Sequence, residues 1–223
     1  MLEKQLVALE KAPPPGATQH VLWSEYLQYS KGRLADLRQG SASRKGGQLE
    51  PPLKWDGYQW MRETFLRGLR FERSRAQLLR DEALLPRAQR HFLQDFDSPR
   101  VETYVGVRKP ESGLRFSDVL VIEQKPPAAQ PPRVETFSFK SRDFSQLNEK
   151  AVEAQMKTDA GEALAYYGET LDIVRPGLKL RVQVQCVRLI YEGGALKPRD
   201  ARLLKRAVTA TEKKFPGVEV LFQ

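Results

Sequence analysis

The chain has 223 residues and a mass of 25.5 kDa, enough for one sizeable domain with a smaller extension. Its mean hydropathy is −0.54, and no run approaches the roughly 18 apolar residues that a membrane span needs. One cysteine, Cys186, excludes a disulfide framework, and with only two histidines the chain lacks a cysteine- or histidine-rich metal site. The formal net charge of +9 favours a polyanionic partner such as nucleic acid.

The N-terminal part is predicted to be a helical extension spanning residues 1–55. It begins MLEKQLVALEKAPPPG, with charges where a signal peptide is apolar, so we expect no signal peptide and a cytoplasmic site of action. Apolar spacing predicts a helix at Val21–Leu37, and a loop rich in Gly, Ser and Pro follows at Gln39–Pro52. The main domain, residues 56–223, opens with a strong helix at Tyr58–Arg80.

From Val101 the hydrophobic period changes from helical to strand-like. Three strands, a helix, a fourth strand and a last helix are predicted in this order: Val101–Val107, Ser117–Gln124, Arg133–Ser141, Ser145–Tyr167, Leu180–Tyr191 and Pro198–Phe215. The residues after the last helix are predicted to form a short tail. This order predicts an α/β fold with a central sheet flanked by helices.

Glu72 interrupts the apolar stripe of the helix at Tyr58–Arg80. Helical spacing aligns it with Phe65, Ala76 and Leu79, so we expect it to face the core. A carboxylate there is costly unless it is paired, hydrogen-bonded or bound to a metal. Two interpretations stay open: a buried ion pair with a nearby arginine, or a functional carboxylate.

Two further charged residues stand at strand ends. Asp118 opens the second predicted strand and Lys140 ends the third. If the two strands are neighbours, the carboxylate and the ammonium group lie side by side. Such a cluster can hold Mg²⁺, which prefers oxygen ligands, while the lysine positions a water or neutralises charge.

This pattern resembles the PD-(D/E)XK nuclease superfamily, whose restriction-endonuclease-like fold has an αβββαβ core, here over about residues 58–191. Asp118, preceded by Phe-Ser rather than Pro, matches the motif aspartate, and Lys140 matches the motif lysine. Glu72 resembles the glutamate that many members carry on the first core helix. Gln155 resembles a glutamine often found on the helix after the catalytic strand. The resemblance implies a mixed sheet, and a Mg²⁺-dependent nuclease that accepts Mn²⁺ as a substitute.

One position departs from the family pattern. The second acid should stand two residues before the lysine, where this chain has Ser138. Glu135 is the nearest acid on the strand, although alternation points it to the opposite face unless a bulge reorients it. Glu153 on the next helix is the other candidate and aligns with a solvated face, so Glu135 is preferred. The resemblance therefore implies metal ligands Glu72, Asp118 and Glu135, and catalytic residues Asp118, Lys140, Glu135 and Gln155.

The resemblance implies hydrolysis of DNA with low sequence specificity, and it leaves RNA open. Such domains recur in bacterial polymorphic toxins, which a specialised secretion system delivers into rival cells and a cognate immunity protein neutralises. Two alternatives remain: a non-catalytic binding module on the same fold, which Ser138 favours, and a repair or phage-type nuclease for particular DNA structures. Arginines along the first core helix are candidate phosphate contacts: Arg62, Arg67, Arg70, Arg73, Arg75 and Arg80.

Overall fold

The computed structural model describes residues 2–40, 50–109, 113–126 and 130–223. Most of the predicted loop at Gln39–Pro52 lies outside these residues, as do parts of the two turns that separate the first three predicted strands. Contacts divide the chain into two compact units, residues 1–66 and 67–223. The division falls inside a helix, whereas the sequence predicts a boundary after residue 55.

Unit 1, residues 1–66, is helical. It contains α1 (Leu2–Lys11), α2 (Trp23–Arg38) and the first part of α3 (Trp55–Ala83). The helix predicted at Val21–Leu37 is confirmed as α2, whereas α1 was not predicted. Its small core is aromatic, because the rings of Tyr26, Trp55 and Tyr58 pack against each other at the junction of α2 and α3.

Unit 2, residues 67–223, contains the rest of α3 and a seven-stranded mixed sheet. Its further elements are β1 (Pro99–Arg108), β2 (Arg115–Glu123), β3 (Val134–Lys140), α4 (Glu149–Tyr167), β4 (Thr170–Arg175), β5 (Leu178–Gln183), β6 (Cys186–Tyr191), α5 (Ala201–Lys214) and β7 (Val218–Phe222). The strand order is β5-β4-β1-β2-β3-β6-β7, in which β6 pairs parallel to β3 and β7 parallel to β6. The remaining pairs are antiparallel. The α/β class with a mixed sheet and helices is therefore confirmed.

The region after α4 differs from the prediction. The single strand predicted at Leu180–Tyr191 is two strands, β5 and β6, because the chain changes partner from β4 to β3 around Val184. The unpredicted β4 forms a hairpin with β5 through Pro176 and Gly177, and Gly177 takes the positive φ of 76° that this turn requires. The predicted tail is β7, so it extends the sheet.

Both faces of the sheet in unit 2 are covered by helices. One face packs against α4 and α5 around Leu120, Met156 and Leu189. The other packs against α3 through Phe71 and Leu79. Helices on both sides explain why β2 and β3 are buried along most of their length.

The orientation of α3 differs in part from the predicted stripe. Ala76 and Leu79 are buried as predicted, but Phe65 is 58% exposed. Phe71 faces the sheet instead, so Glu72 lies at the edge of the buried face and is half-buried. Among the described residues, no helix is both long enough and apolar enough to cross a membrane.

Candidate active site

Asp118 lies where β2 separates from β3. The ladder pairs Val119 with Phe137, and by the same register Asp118 lies opposite Ser138. Here a side chain replaces the backbone as hydrogen-bond acceptor: Asp118 Oδ2 accepts a hydrogen bond of 2.9 Å from the backbone N–H of Phe139. The carboxylate is thereby fixed where the pairing of β2 with β3 ends. The prediction that Asp118 opens the strand is wrong, because β2 begins at Arg115, where it pairs with β1 alone.

Lys140 ends β3 two residues after Ser138 and is only partly buried. Its positive charge acts on the carboxylates of both Asp118 and Glu72, whose pKa values it lowers. The cluster of Glu72, Asp118 and Lys140 thus draws on three elements, α3, β2 and β3. This is the set of charged residues that the sequence singled out.

Glu72 reaches this cluster from α3. The hydroxyl of Tyr104 on β1 lies close enough to this carboxylate to lower its pKa. The register of β1 and β2, which pairs Thr103 with Val119 and Val105 with Ser117, puts Tyr104 opposite Asp118. Tyr104 therefore connects the helix carboxylate to the strand that carries its partner.

The backbone at Tyr104 is unusual. Its φ is 51°, in the left-handed region that non-glycine residues seldom occupy, although it lies within a strand. Such a conformation costs of order 1–3 kcal/mol and persists where the surroundings hold it, commonly at functional sites. Here the ladder pairs on either side of Tyr104 hold it.

Both carboxylates of the cluster are electrostatically strained. Burial raises the pKa of Asp118 above its ordinary value, and the Phe139 N–H and Lys140 offset this only in part. Burial also raises the pKa of Glu72, and the negative charge of Asp118 adds to the rise. Two carboxylates that repel each other in a partly desolvated site are stabilised by any cation that binds between them.

The donor set fits a hard divalent cation. Glu72 and Asp118 supply carboxylate oxygens, which Mg²⁺ prefers, and few protein ligands suffice because Mg²⁺ keeps several waters. Ser138 supplies a further observation. Its Oγ is buried and makes no hydrogen bond of normal geometry to the protein, although it lies close enough to Asp118 to lower the pKa of that carboxyl. A metal-bound water would satisfy this hydroxyl.

In the part of the chain that the structure describes, no three or more His, Cys, Asp or Glu side chains converge in a metal-binding arrangement. The predicted third acid is not in the cluster. Glu135 lies three residues before Ser138 on β3 and is fully buried. Its Oε1 accepts from Arg133 at 2.8 and 2.6 Å, and its Oε2 from Arg188 at 2.6 Å. Both oxygens are occupied by arginines, so nothing in this geometry supports Glu135 as a metal ligand.

Glu153, the other acid considered, is on α4. It forms an i,i+4 ion pair with Lys157, as its predicted solvated face implies. It has no contact with the cluster among those the structure shows.

Gln155 belongs to a second polar network that the sequence did not reveal. Its Nε2 donates to Asp159 Oδ1 at 3.1 Å. Asp159 is buried and also accepts a two-pronged bond from Arg142 and a bond of 2.9 Å from the Tyr191 hydroxyl. Because Tyr191 pairs with Lys140 in the sheet, this network braces the strand ends beside the lysine.

Most arginines of α3 already have protein partners. Arg62 pairs with Glu25 within unit 1. In unit 2 the guanidinium groups donate to side-chain oxygens in these pairs: Arg67 to Ser141, Arg75 to Gln223 and Arg80 to Thr103. Arg70, Arg73 and Arg80 are exposed, but Arg80 already bonds to Thr103, and Arg73 lies beside Tyr104 and Glu72. The candidate phosphate contacts on this helix therefore reduce mainly to Arg70 and Arg73.

Tyr104 is the site residue that sequence reasoning missed. Its position follows from the antiparallel register of β1 and β2, which places Tyr104 opposite Asp118. Asp159 gave a weak signal, an aspartate among the apolar residues of α4. Comparison of the chain with protein-family models, with curated proteins and with solved structures gave no match in any of the three. The resemblance to the PD-(D/E)XK superfamily therefore rests on these residues and on the order of the elements.

Proposed function

We propose that the chain is a metal-dependent endonuclease that hydrolyses DNA phosphodiester bonds with low sequence specificity. The observation that carries this proposal is the meeting of Glu72, Asp118 and Lys140, from three separate elements, in one partly desolvated cluster. Two acids and a lysine grouped in this way combine affinity for a cation with a fixed positive charge.

The order of elements supports the same proposal. In unit 2 a helix precedes three antiparallel strands, a helix follows, and β6 then pairs parallel to β3. This is compatible with an αβββαβ core of the restriction-endonuclease type. In it the candidate acids and the lysine come from the first helix, the second strand and the third strand.

Each residue has a role in this mechanism. Asp118, held by the Phe139 N–H, and Glu72, which lies beside Tyr104, would bind Mg²⁺ or Mn²⁺. When bound, the metal lowers the pKa of a coordinated water and stabilises the charge that develops on the phosphate. Lys140 stabilises the same charge from the protein side and orients the attacking water by hydrogen bonding.

The electrostatics favour nucleic acid as the substrate. The net charge of +9 attracts a polyanion, and the exposed Arg70 and Arg73 lie on the helix that carries Glu72. Arginine contacts to phosphates carry little sequence information, which is the basis for proposing low specificity. DNA is the proposed substrate, and the experiment below also includes an RNA substrate.

Cleavage of supercoiled plasmid with and without Mg²⁺ tests the proposal. We expect metal-dependent nicking that Asp118→Ala and Lys140→Ala each reduce by at least about 100-fold, since general acid–base and charge-stabilising groups contribute about that much. Glu153→Ala is the matched control, because this acid lies on a solvated helix face and should retain full activity. Parallel reactions with Mn²⁺ and with an RNA substrate define the metal and the nucleic acid. Normal cleavage by a folded Asp118→Ala variant would overturn the site.

Ser138 favours a second candidate, a non-catalytic module that binds nucleic acid or protein on the same fold. Only two carboxylates meet at this site among the described residues, where the family pattern has a further acid. This candidate predicts binding without cleavage in either metal. Cleavage lost in Asp118→Ala separates the two.

A role as an antibacterial effector, countered by an immunity protein, belongs to the same proposal. It predicts that expression in a bacterial host arrests growth and fragments DNA, and that Asp118→Ala relieves both effects. Growth arrest that persists with Asp118→Ala would show that toxicity does not depend on the nuclease site.

A further inference from the structure

An exposed aromatic ring stands beside the candidate active site. Phe116 on β2 is 58% exposed, and Tyr104 on β1 is 54% exposed. Phe116 lies opposite Gly106, which is two residues from Tyr104, just as Phe116 is two residues from Asp118. Two strand residues span about 7 Å, so the two rings border the cluster on neighbouring strands. Phe116 and Tyr104 are called the hairpin platform below.

The inner side of the platform is packed against the sheet. A Cβ atom placed on Gly106 would lie 3.7 Å from Phe116 Cε1 and 3.3 Å from Leu114 Cδ1. Phe116 and Leu114 therefore cover the glycine backbone. Such cover is a known use of an aromatic residue across from a strand glycine. It explains the buried side of Phe116, but not why more than half of the residue remains exposed next to two acids and a lysine.

A cationic side chain lies beside the platform. Arg73 lies within hydrogen-bonding reach of the Tyr104 hydroxyl. The exposed arginines of the two strands point to other partners, since Arg115 lies over the Tyr166 ring of α4 and Arg108 lies beside Asp172 of β4. Exposed aromatic rings next to Arg73 and to Lys140 of the cluster match what single-stranded nucleic acid requires, since bases stack on rings while phosphates pair with cations. A base in an intact duplex is already stacked and cannot use such a ring.

We propose that the hairpin platform binds an unpaired base of single-stranded DNA, with Phe116 as the stacking ring, beside the phosphate at the Asp118 cluster. The choice of nucleic acid as the ligand rests on the proposed function. Stacking on the platform makes single-stranded or locally unpaired DNA the preferred substrate. It also makes binding depend on the presence of bases, because the arginines contact only phosphates.

The test measures binding without divalent metal, so that no cleavage occurs. Fluorescence anisotropy compares three labelled DNA probes of equal phosphate content: a single strand, the same strand with abasic residues, and a duplex. Phe116→Leu keeps an apolar cover over Gly106 but removes the aromatic face, and Phe116→Trp keeps a stacking ring. Leu84→Ala is the control for loss of exposed apolar surface, since Leu84 is 86% exposed and lies outside the platform.

We expect wild type to bind the normal single strand more tightly than the abasic strand or the duplex. Phe116→Leu should weaken binding of the normal strand by about fivefold or more, because one stacked base contributes about 1–3 kcal/mol and 1.4 kcal/mol is tenfold. The affinity of Phe116→Leu for the abasic strand should equal that of wild type. Phe116→Trp and Leu84→Ala should bind all three probes as wild type does. Thermal unfolding of each variant checks the fold.

Two outcomes overturn the platform. One is equal wild-type affinity for normal and abasic strands, a result that needs no variant to fold. The other is a loss in Phe116→Leu that is the same for both strands. The nuclease proposal fails separately, if plasmid is not cut in Mg²⁺ or Mn²⁺. Base-dependent binding without cleavage would support the platform and overturn the nuclease proposal. Cleavage with base-independent binding would support the nuclease proposal and overturn the platform.

Discussion

Replacing Glu135 by glutamine is expected to destabilise the fold by about 3 kcal/mol without a selective effect on cleavage. Breaking one side of a buried ion pair costs about 3–5 kcal/mol, because the remaining charge stays buried without compensation. Glu135 is fully buried, and its two oxygens accept from Arg133 and Arg188. The lower end of the range applies because each arginine keeps a second carboxylate, Asp95 for Arg133 and Glu219 for Arg188. The glutamine amide would also turn N–H groups toward an arginine, which has only donors.

Thermal unfolding and plasmid cleavage of the same sample provide the assay. For a chain of this size 1 kcal/mol shifts the unfolding midpoint by about 2–4 °C, so a fall of about 6–12 °C is expected. Glu219→Gln is the matched control, since Glu219 has a side chain 41% exposed and contacts the same Arg188, and its midpoint should change by far less. Below its unfolding midpoint Glu135→Gln should still cut DNA. An unchanged midpoint together with lost cleavage would refute this reasoning and return Glu135 to the active site.

Two further predictions concern Asp118 at the candidate site and Gly106 on β1. Asp118→Asn should leave the metal-free protein as stable as wild type or more stable, because the amide oxygen still accepts from Phe139 and the strained charge is gone. Because the pKa of Asp118 is raised in the fold, ionisation of this carboxyl lowers the stability of the wild type as pH rises. In urea unfolding, the stability gained by Asp118→Asn should therefore grow from pH 4 to pH 7. A gain that is absent at both pH values would show that the carboxylate is not strained. Gly106→Ala should destabilise by about 1–3 kcal/mol, because the new Cβ would lie 2.9 Å from the Val174 backbone oxygen. Gly32→Ala on α2, where nothing lies within 4 Å, should instead be neutral or stabilising in the same urea titration, and equal effects at both positions would contradict the steric argument.

Local periodicity was sufficient to predict the elements that position the site. The helix around Glu72, the three strands after it and α4 were all predicted close to their observed bounds. Lys140 was predicted at a strand end because the two-residue alternation of a strand is visible without its partners, whereas β2 begins three residues before Asp118. The α/β class followed from the order of these elements alone.

Periodicity could not predict which strands pair with each other or which side of a helix packs against the sheet. The segment from Leu180 to Tyr191 alternates as one strand, yet it divides where the chain exchanges β4 for β3. Periodicity also aligned Phe65 with the buried stripe, whereas α3 presents Phe71 to the sheet and leaves Phe65 exposed. Which side of a helix is buried depends on where the helix meets the sheet.

The fates of the two carboxylates show the difference most clearly. Glu135 is neutralised by Arg188, 53 residues later in the chain, and Glu72 lies beside Tyr104, which comes from another element. The sequence determined that both positions carry acids and on which kind of element each lies. Only the tertiary structure decided that one forms a structural ion pair and the other faces Asp118, because electrostatic energies depend on distances and burial that arise when remote segments pack together.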